Sequence, residues 1–562
     1  MSAGAPQSLS RRPPFPWRPS TRLAFATFIG AGLILLPLAA LVMSALSLRQ
    51  AAEIWPHLAA HVLPTALVQT GLLLAGVGAL SAAIGVGAAW LVTQSEFPGR
   101  SALEWLLALP LALPTYITAY IYVEFMGFNG PLQGALRAAT GWRSLREYWF
   151  PEPRSLPGAI VIMALVLYPY VYLSVRALFV VQSAAIIDAA RTLGAGRGRL
   201  FRHVGLPLAR PALAAGLTLV LLETLNDIGA SEYLGIRTLT LSIYTTWLNR
   251  GSLAGASQIA CVMLLLVFAL LLGEARLRER RRFTISAQPD RVAARRRLGR
   301  GAGALAALAC LLPVLLGAVL PVGFLIAETL RLQRLAGLDA ALLGQLGNAL
   351  LLAMAASLIV LALGFGIAAA ARRGQERFLR LLARFAGLGY AVPGTVLALG
   401  VLIPVAAIDN LVADTLRRWF GLEVGLVLIG SGTALLVAYV ARFLAIGING
   451  IESGLSRVPP RVDDAARSLG ASGGVLLRQF YWPLARPAIA AAGLLVFVDV
   501  LKELPATLLL RPLGVETLAT TVYGHASRGV FEEGAPAALL IVLAGLVPAV
   551  ILARTRPSQR EP

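Results

Sequence analysis

Four carboxylates occur as two pairs in apolar segments of the chain, and they suit the binding of a cationic solute. Glu223 and Asp227 are four residues apart, and Asp499 and Glu503 repeat that spacing 276 residues later. Residues four apart lie on one face of a helix. An ionised carboxylate near the centre of a bilayer costs roughly 2.5–3.5 kcal/mol, and carboxylate oxygens are preferred ligands of hard cations. We therefore expect these acids to face an interface between two halves and to line a path for a cation. The alternative is that they form hydrogen bonds between helices or ion pairs with nearby cations: Lys502, Arg237 and Arg511.

The sequence lacks the residue patterns of an enzyme. Lys502 is the single lysine, and its neighbours do not form the Gly-Lys-Ser/Thr sequence that a phosphate-binding P-loop requires. His57 and His61 have an i, i+4 spacing that could bind a metal ion, but two ligands without a third make a weak case, and the other two histidines and the two cysteines are scattered. We predict no catalytic residue, no metal site and no cofactor, and we expect any ATP hydrolysis to take place on other subunits.

Composition indicates a membrane protein. Of the 562 residues, 57% are hydrophobic and 14% are charged, and the mean hydropathy is +0.75. A soluble protein of this length would need a more polar surface. The net charge of +21 comes from arginines that cluster between apolar segments, as expected for topology signals and contact with anionic lipids rather than with nucleic acid.

Twelve apolar segments are long enough to cross a bilayer, which needs about 20 residues per helix. They lie near residues 22–46, 64–93, 101–126, 159–182, 208–228, 255–274, 303–329, 343–371, 379–405, 423–447, 486–504 and 534–554. Ten arginines fall within residues 276–300, and both ends of the chain are basic, so the positive-inside rule places the linker and both termini in the cytoplasm. The predicted division is a basic tail (1–21), a first domain of six spans (22–275), an arginine-rich linker (276–302), a second domain of six spans (303–555) and a short tail (556–562).

An internal repeat relates the two halves. Residues 188–211 and 464–487 are identical at 15 of 24 positions, with the constant offset of 276. Each copy reads Asp-Ala-Ala-Arg-Thr/Ser-Leu-Gly and later Pro-Leu-Ala-Arg-Pro, between the fourth and fifth predicted spans. We expect a short helix that ends at Gly194 or Gly470, a second short helix, and a proline that opens the next span. Two such similar loops in otherwise divergent halves favour a shared docking partner, although well-capped loops without a partner remain the alternative.

These loops resemble the EAA motif of type I ABC-importer permeases, with aspartate in place of the usual glutamate. The resemblance implies an all-α membrane protein of about twelve spans, built as two six-helix permease repeats in the bacterial inner membrane. It also implies two ABC ATPase subunits, a periplasmic substrate-binding protein and alternating access. The residues that it assigns to the ATPase-coupling loops are Asp188, Ala189, Ala190, Gly194 and Pro207, with Asp464, Ala465, Ala466, Gly470 and Pro483 in the second half.

A narrower resemblance concerns the cargo. The segments 223–235 and 502–512 look like the fifth-span exits of ferric-iron permeases, although fused thiamine permeases share the architecture. A twelve-span secondary transporter is the alternative from another class, but the segment 95–100 does not fit the loop expected there. Six tyrosines could offer phenolate ligands to iron, with aromatic packing as the commoner explanation: Tyr116, Tyr120, Tyr122, Tyr168, Tyr170 and Tyr172.

Overall fold

The computed structural model describes residues 21–181, 190, 192–279, 295–337, 339–373, 377–423, 425–470 and 473–554. Asp188, Ala189, the tails and most of the linker lie outside the described residues. Within the described part, eleven helices are long and apolar enough to cross a membrane, and a further bent pair of helices brings the number to twelve. The predicted all-α, twelve-span fold class is confirmed.

The first half consists almost entirely of helices. Its elements are α1 (Thr21–Ala45), α2 (Leu48–His57), α3 (Leu63–Gln94), β1 (Ser95–Glu96), α4 (Arg100–Leu106), α5 (Thr115–Met126), α6 (Pro131–Thr140), α7 (Leu156–Val181), α8 (Arg197–Leu200), α9 (Leu206–Asn226), α10 (Ile228–Tyr233), α11 (Leu239–Leu248) and α12 (Leu253–Glu279).

The second half is also almost entirely helical. Its elements are β2 (Arg296–Arg297), α13 (Arg300–Val314), α14 (Leu320–Ala336), α15 (Ala341–Arg373), α16 (Arg377–Ala386), α17 (Gly394–Phe420), α18 (Val427–Gly430), α19 (Thr433–Ser456), α20 (Pro460–Ser468), α21 (Gly473–Val475), α22 (Trp482–Leu501), α23 (Pro505–Leu510), α24 (Leu518–Ser527) and α25 (Phe531–Arg554). The two short strands pair in parallel, which joins the end of the linker to the loop after α3.

The segments predicted as the third spans, 101–126 and 379–405, are both interrupted, at the prolines where the sequence predicted uncertain boundaries. In the second half the helix after the interruption, Gly394–Phe420, is long enough to cross a membrane by itself. In the first half α4 and α5 are separated by a 3₁₀ turn, and the two parts bend by 92°. In the second half a 3₁₀ turn separates α16 from α17. Each break precedes a proline, Pro114 or Pro393, because the residue before proline disfavours the helical conformation. The span predicted at 423–447 is also displaced, since its helix begins at Thr433.

Helical turns of π type precede four prolines, three of them near the starts of spans and one, Pro321, in the middle of the span Arg300–Leu335. They are Leu58–Val62, Phe201–Gly205, Leu315–Val319 and Leu476–Tyr481. Proline lacks an N–H donor and its ring clashes with the carbonyl one turn earlier, and a wider turn provides the needed room. The second short helix that we predicted in each repeated loop is therefore not separate: it continues through the π turn into α9 or α22.

The first span of each half packs on the opposite half. Helix α1 contacts α15, α16 and α17, and its Pro37 carbonyl lies where a Cβ atom on Gly400 would clash. The π turn between α13 and α14 packs against α7, and Tyr122 donates a hydrogen bond of 2.7 Å to the Leu316 carbonyl. Each half therefore packs its first span against the other half. This packing brings the ends of α9 and α22 to a common cavity.

Candidate functional site

The cavity between the two halves is lined by all four carboxylates that the sequence singled out. Glu223 and Asp227 reach it from the first half, and Asp499 and Glu503 reach it from the second. About 90 Å³ is open to the centres of water molecules, against roughly 10–15 Å³ needed for one water. The cavity therefore has room for several waters or a small ion.

The repeated acids end their spans in equivalent ways. Asp227 follows the last residue of α9 and accepts a hydrogen bond of 2.8 Å from the Ala230 backbone N–H, which caps α10. Glu503 follows α22 and accepts bonds of 2.9 and 3.1 Å from the backbone N–H groups of Ala506 and Thr507 in α23. Each pair therefore has one acid on the fifth span and one beyond its end, rather than two on one helix face as predicted.

Neutral donors satisfy the acids of the first half. Tyr390 donates its hydroxyl proton to Glu223 over 2.6 Å, and Thr115 donates to Asp227. Both donors lie next to the breaks in the third spans, so the broken spans supply the polar groups that meet these carboxylates.

A cation lies beside each acid of the second half, and Glu503 also accepts a hydrogen bond of 2.7 Å from the Thr507 hydroxyl. Lys502 Nζ lies 2.8 Å from an Asp499 oxygen, and Arg442 Nη1 lies 3.8 Å from a Glu503 oxygen. Arg442 also donates to the Asn226 side-chain oxygen over 3.0 Å. The ion pair with Lys502 was among the alternatives open from sequence.

Several residues of the site were missed by sequence reasoning. Arg442 is only 6% exposed in the middle of α19, and a lone arginine inside a predicted span is itself a functional signal. Asn226, Thr115 and Tyr390 carried no comparable signal, because their roles depend on how the spans break. Of the six tyrosines, Tyr116 and Tyr170 line the cavity, and the buried Tyr116 hydroxyl has no hydrogen-bond partner among the described residues.

The lining of the cavity carries an excess of negative charge. It contains four carboxylates, one lysine and one arginine, which gives a formal balance of −2 if all are ionised. No group of three or more possible metal ligands is assembled among the described residues. The arrangement can attract a cation without holding it in a preformed metal centre.

The repeated loops lie away from this cavity, and the structure describes the second more completely. Asp464, Ala465 and Ala466 lie in α20, with the first two exposed and Ala466 buried. Gly470 has φ = +77°, and Gly194 has φ = +76° at the matching position. The prediction that Gly470 ends a short helix is confirmed. Ala190 is partly buried, and Pro207 and Pro483 occupy the second positions of α9 and α22.

Comparison with known proteins finds a family model, the binding-protein-dependent transport system inner membrane component, that matches residues 81–282. The molybdenum transport system permease protein ModB of Escherichia coli is 30% identical over 194 residues, which are 34% of this chain and 81% of that protein. The chain belongs to this family. It is a permease subunit of a binding-protein-dependent importer and a multi-pass inner-membrane protein, so the secondary-transporter alternative is wrong.

Two further relatives differ in length and in named cargo. The Fe(3+)-transport system permease protein FbpB 2 of Haemophilus influenzae is 23% identical over 481 residues, 85% of this chain and 86% of that protein. The sulfate transport system permease protein CysT of Salmonella typhimurium is 33% identical over 224 residues, 39% of this chain and 76% of that protein. The molybdenum and sulfate relatives are thus matched over most of their length by little more than a third of this chain, whereas the iron relative is matched nearly end to end.

Proposed function

We propose that this permease carries a cation, namely ferric iron, through the cavity between its two halves by alternating access. The observation that carries the proposal is the charge of the cavity, where Glu223, Asp227, Asp499 and Glu503 outnumber Lys502 and Arg442. A negative lining in a low-dielectric surrounding attracts cations and repels oxyanions. The iron-transport relative, which matches most of the chain, supports the same cargo.

The contacts that the four acids make within the protein suit release of a cargo ion as well as its entry. Every one of the four carboxylates has a donor or cation from the protein in the described structure. A cargo ion therefore competes with these partners for the oxygens and is not bound tightly, as a transport pathway requires.

An oxyanion is the second candidate cargo, because Arg442 and Lys502 both reach the cavity and relatives are named for molybdenum and sulfate transport. Against it, each cation is already beside a carboxylate. Thiamine, which is also a cation, remains an alternative within the first class.

We further propose that two ABC ATPase subunits dock on the repeated loops and that a periplasmic binding protein delivers the cargo to the opposite face. The loops carry exposed leucines at matching positions, Leu193 at 86% and Leu469 at 83% exposure. Such apolar side chains next to a fixed turn suit insertion into a groove on a partner. The positive-inside rule then places the repeated loops, the linker and both termini on the cytoplasmic side of the membrane.

Uptake of labelled ferric iron, molybdate and thiamine by iron-starved cells with and without this gene tests the cargo. We expect loss of iron uptake alone when the gene is deleted. The Gly194→Pro, Gly470→Pro double variant should abolish uptake too, since proline cannot adopt the positive φ at these positions. Loss of molybdate uptake with normal iron uptake would overturn the cation proposal, and loss of thiamine uptake alone would leave a cation but exclude iron.

A further inference from the structure

Arg372 joins several separate parts of the second half near its coupling loop. Its Nε lies 3.1 Å from an Asp463 oxygen and 3.2 Å from the Tyr481 hydroxyl. Its Nη2 donates to the Val458 carbonyl over 2.9 Å, and its Nη1 donates to the Leu455 carbonyl. The Arg372 and Asp463 side chains are only 16% and 13% exposed, so this network is shielded from most of the solvent.

The partners of Arg372 belong to different elements. Arg372 lies in the last turn of α15, the second span of its half. Leu455 lies in the last turn of the fourth span, Asp463 lies in the coupling helix α20, and Tyr481 ends the π turn that leads into the fifth span. A guanidinium has five N–H donors in a rigid planar fork, which allows one side chain to fix all these elements relative to each other.

The first half joins the corresponding elements by aromatic packing instead. The Trp90 ring on α3 lies 5.4 Å from the ring of Phe179 on α7 and 5.2 Å from the ring of Phe201 in the π turn. Gly205 ends that turn, and a Cβ atom there would come within 2.5 Å of the Trp90 ring. The second span, the fourth span and the start of the fifth are thus held by three rings that pack edge to face.

The sequence repeat explains why the two halves differ here. Tyr481 occupies the position of Gly205, and Asp463 occupies the position of Ile187. The first half therefore has neither the carboxylate nor the phenol that Arg372 binds. In the first half Arg100 of α4 donates to the Val92 carbonyl near the end of α3 and pairs with Glu104 of its own helix. Arg176 of α7 pairs with the same Glu104, so these polar contacts join the second, third and fourth spans.

We propose that Arg372 is the positioning residue of the second coupling loop and transmits the loop's movement to the second span of that half. The first coupling loop depends on ring packing around Trp90, so the two loops are anchored by different chemistry. This inference rests on the proposed docking of ATPase subunits on the loops.

The test uses the full chain, assembled with its ATPase and binding protein in proteoliposomes, and measures cargo moved per ATP hydrolysed. We expect Arg372→Gln to lower that ratio by about tenfold or more, the factor that loss of one charge-assisted hydrogen bond represents. Arg372→Lys keeps the charge but not the planar fork, so its ratio should lie between those of Arg372→Gln and the unaltered chain. Tyr481→Phe removes one hydroxyl and keeps the ring, so it tests the network in a chain whose packing is unchanged, and its ratio should also fall.

The matched control is Arg377→Gln, which removes an exposed arginine from the next helix. If Arg372→Gln and Tyr481→Phe both give the ratio of this control, with equal amounts of ATPase retained on the permease, the positioning role is wrong. Recovery by Arg372→Lys distinguishes positioning from a general loss of folding. If the unaltered chain itself retains no ATPase subunit, the proposed docking function fails, independently of Arg372.

Discussion

The two halves of this permease end their fifth spans alike but compensate the acids there differently. In the first half, Glu223 and Asp227 receive hydrogen bonds from the hydroxyls of Tyr390 and Thr115. In the second half, Asp499 and Glu503 are paired with Lys502 and Arg442. The repeat positions of these two cations hold Asn226 and Val166 in the first half.

We propose that these two pairs of acids, although equivalent in sequence, have separate tasks. The acids of the second half each lie beside a cation of the protein, so we expect them to stabilise the structure around the cavity. The excess negative charge belongs to the first half, where a cation can displace neutral donors without breaking an ion pair. We therefore expect Glu223 and Asp227 to meet the cargo more directly than Asp499 and Glu503.

Removing Arg442 should give the largest change in stability. Arg442→Met leaves the Glu503 carboxylate buried without its cation, and breaking a buried ion pair from one side costs about 3–5 kcal/mol. The free energy of unfolding of the purified chain, followed with temperature in detergent, measures this loss. The double variant Arg442→Met, Glu503→Gln should recover part of it, and a double variant as unstable as the single one would contradict the role given to the pair.

A smaller loss is expected at the aromatic anchor of the first half. Gly205→Ala places a Cβ atom against the Trp90 ring, and overpacking of this kind typically costs about 1–3 kcal/mol. Gly198→Ala is the matched control, because nothing lies within 4 Å of a Cβ atom there. Thermal unfolding of both variants measures the difference. Equal stability of the two would show that the rings are not packed tightly around Gly205.

The smallest effect should be the same in both halves. Gly194→Ala and Gly470→Ala force a side chain into the left-handed region, at φ values of +76° and +77°, which costs about 1–2 kcal/mol. Nothing lies within 4 Å of either added Cβ atom, so only the backbone term contributes. Thermal unfolding should therefore shift equally for the two variants, and clearly unequal shifts would mean that the two turns are not equivalent.

Much of this architecture follows from the sequence, because hydrophobic length and the repeat are strong local signals. The number of spans, the turns at the two glycines and the four acids at equivalent places were all predicted from residue patterns alone. Pro114 and Pro393 were recognised as interruptions of the third predicted spans, but the bend of 92° at the first of them was not predicted, since a proline is compatible with either a kink or a break.

Apart from Lys502 beside Asp499, the partners of the acids could not be derived from sequence, because they depend on how helices that are distant in the chain pack together. Tyr390 lies 167 residues from Glu223, and Arg442 lies 61 residues from Glu503. The contact of Tyr390 with Glu223 forms only where the two halves meet, and that of Arg442 with Glu503 depends on packing within the second half. The contacts of Arg372 also depend on packing within the second half, and the repeat positions of Asp463 and Tyr481 hold Ile187 and Gly205.

The most direct test of the account is iron uptake by Glu223→Gln and Asp499→Asn at equal amounts of permease. Both substitutions remove one negative charge from the cavity, so a difference between them reports position and not total charge. We predict that Glu223→Gln lowers iron uptake by about tenfold or more, because a charge at contact distance contributes several kcal/mol at an effective dielectric constant of about 20. Asp499→Asn should lower iron uptake less. An equal loss, or a larger loss for Asp499→Asn, would contradict the assignment of the cargo to the acids of the first half.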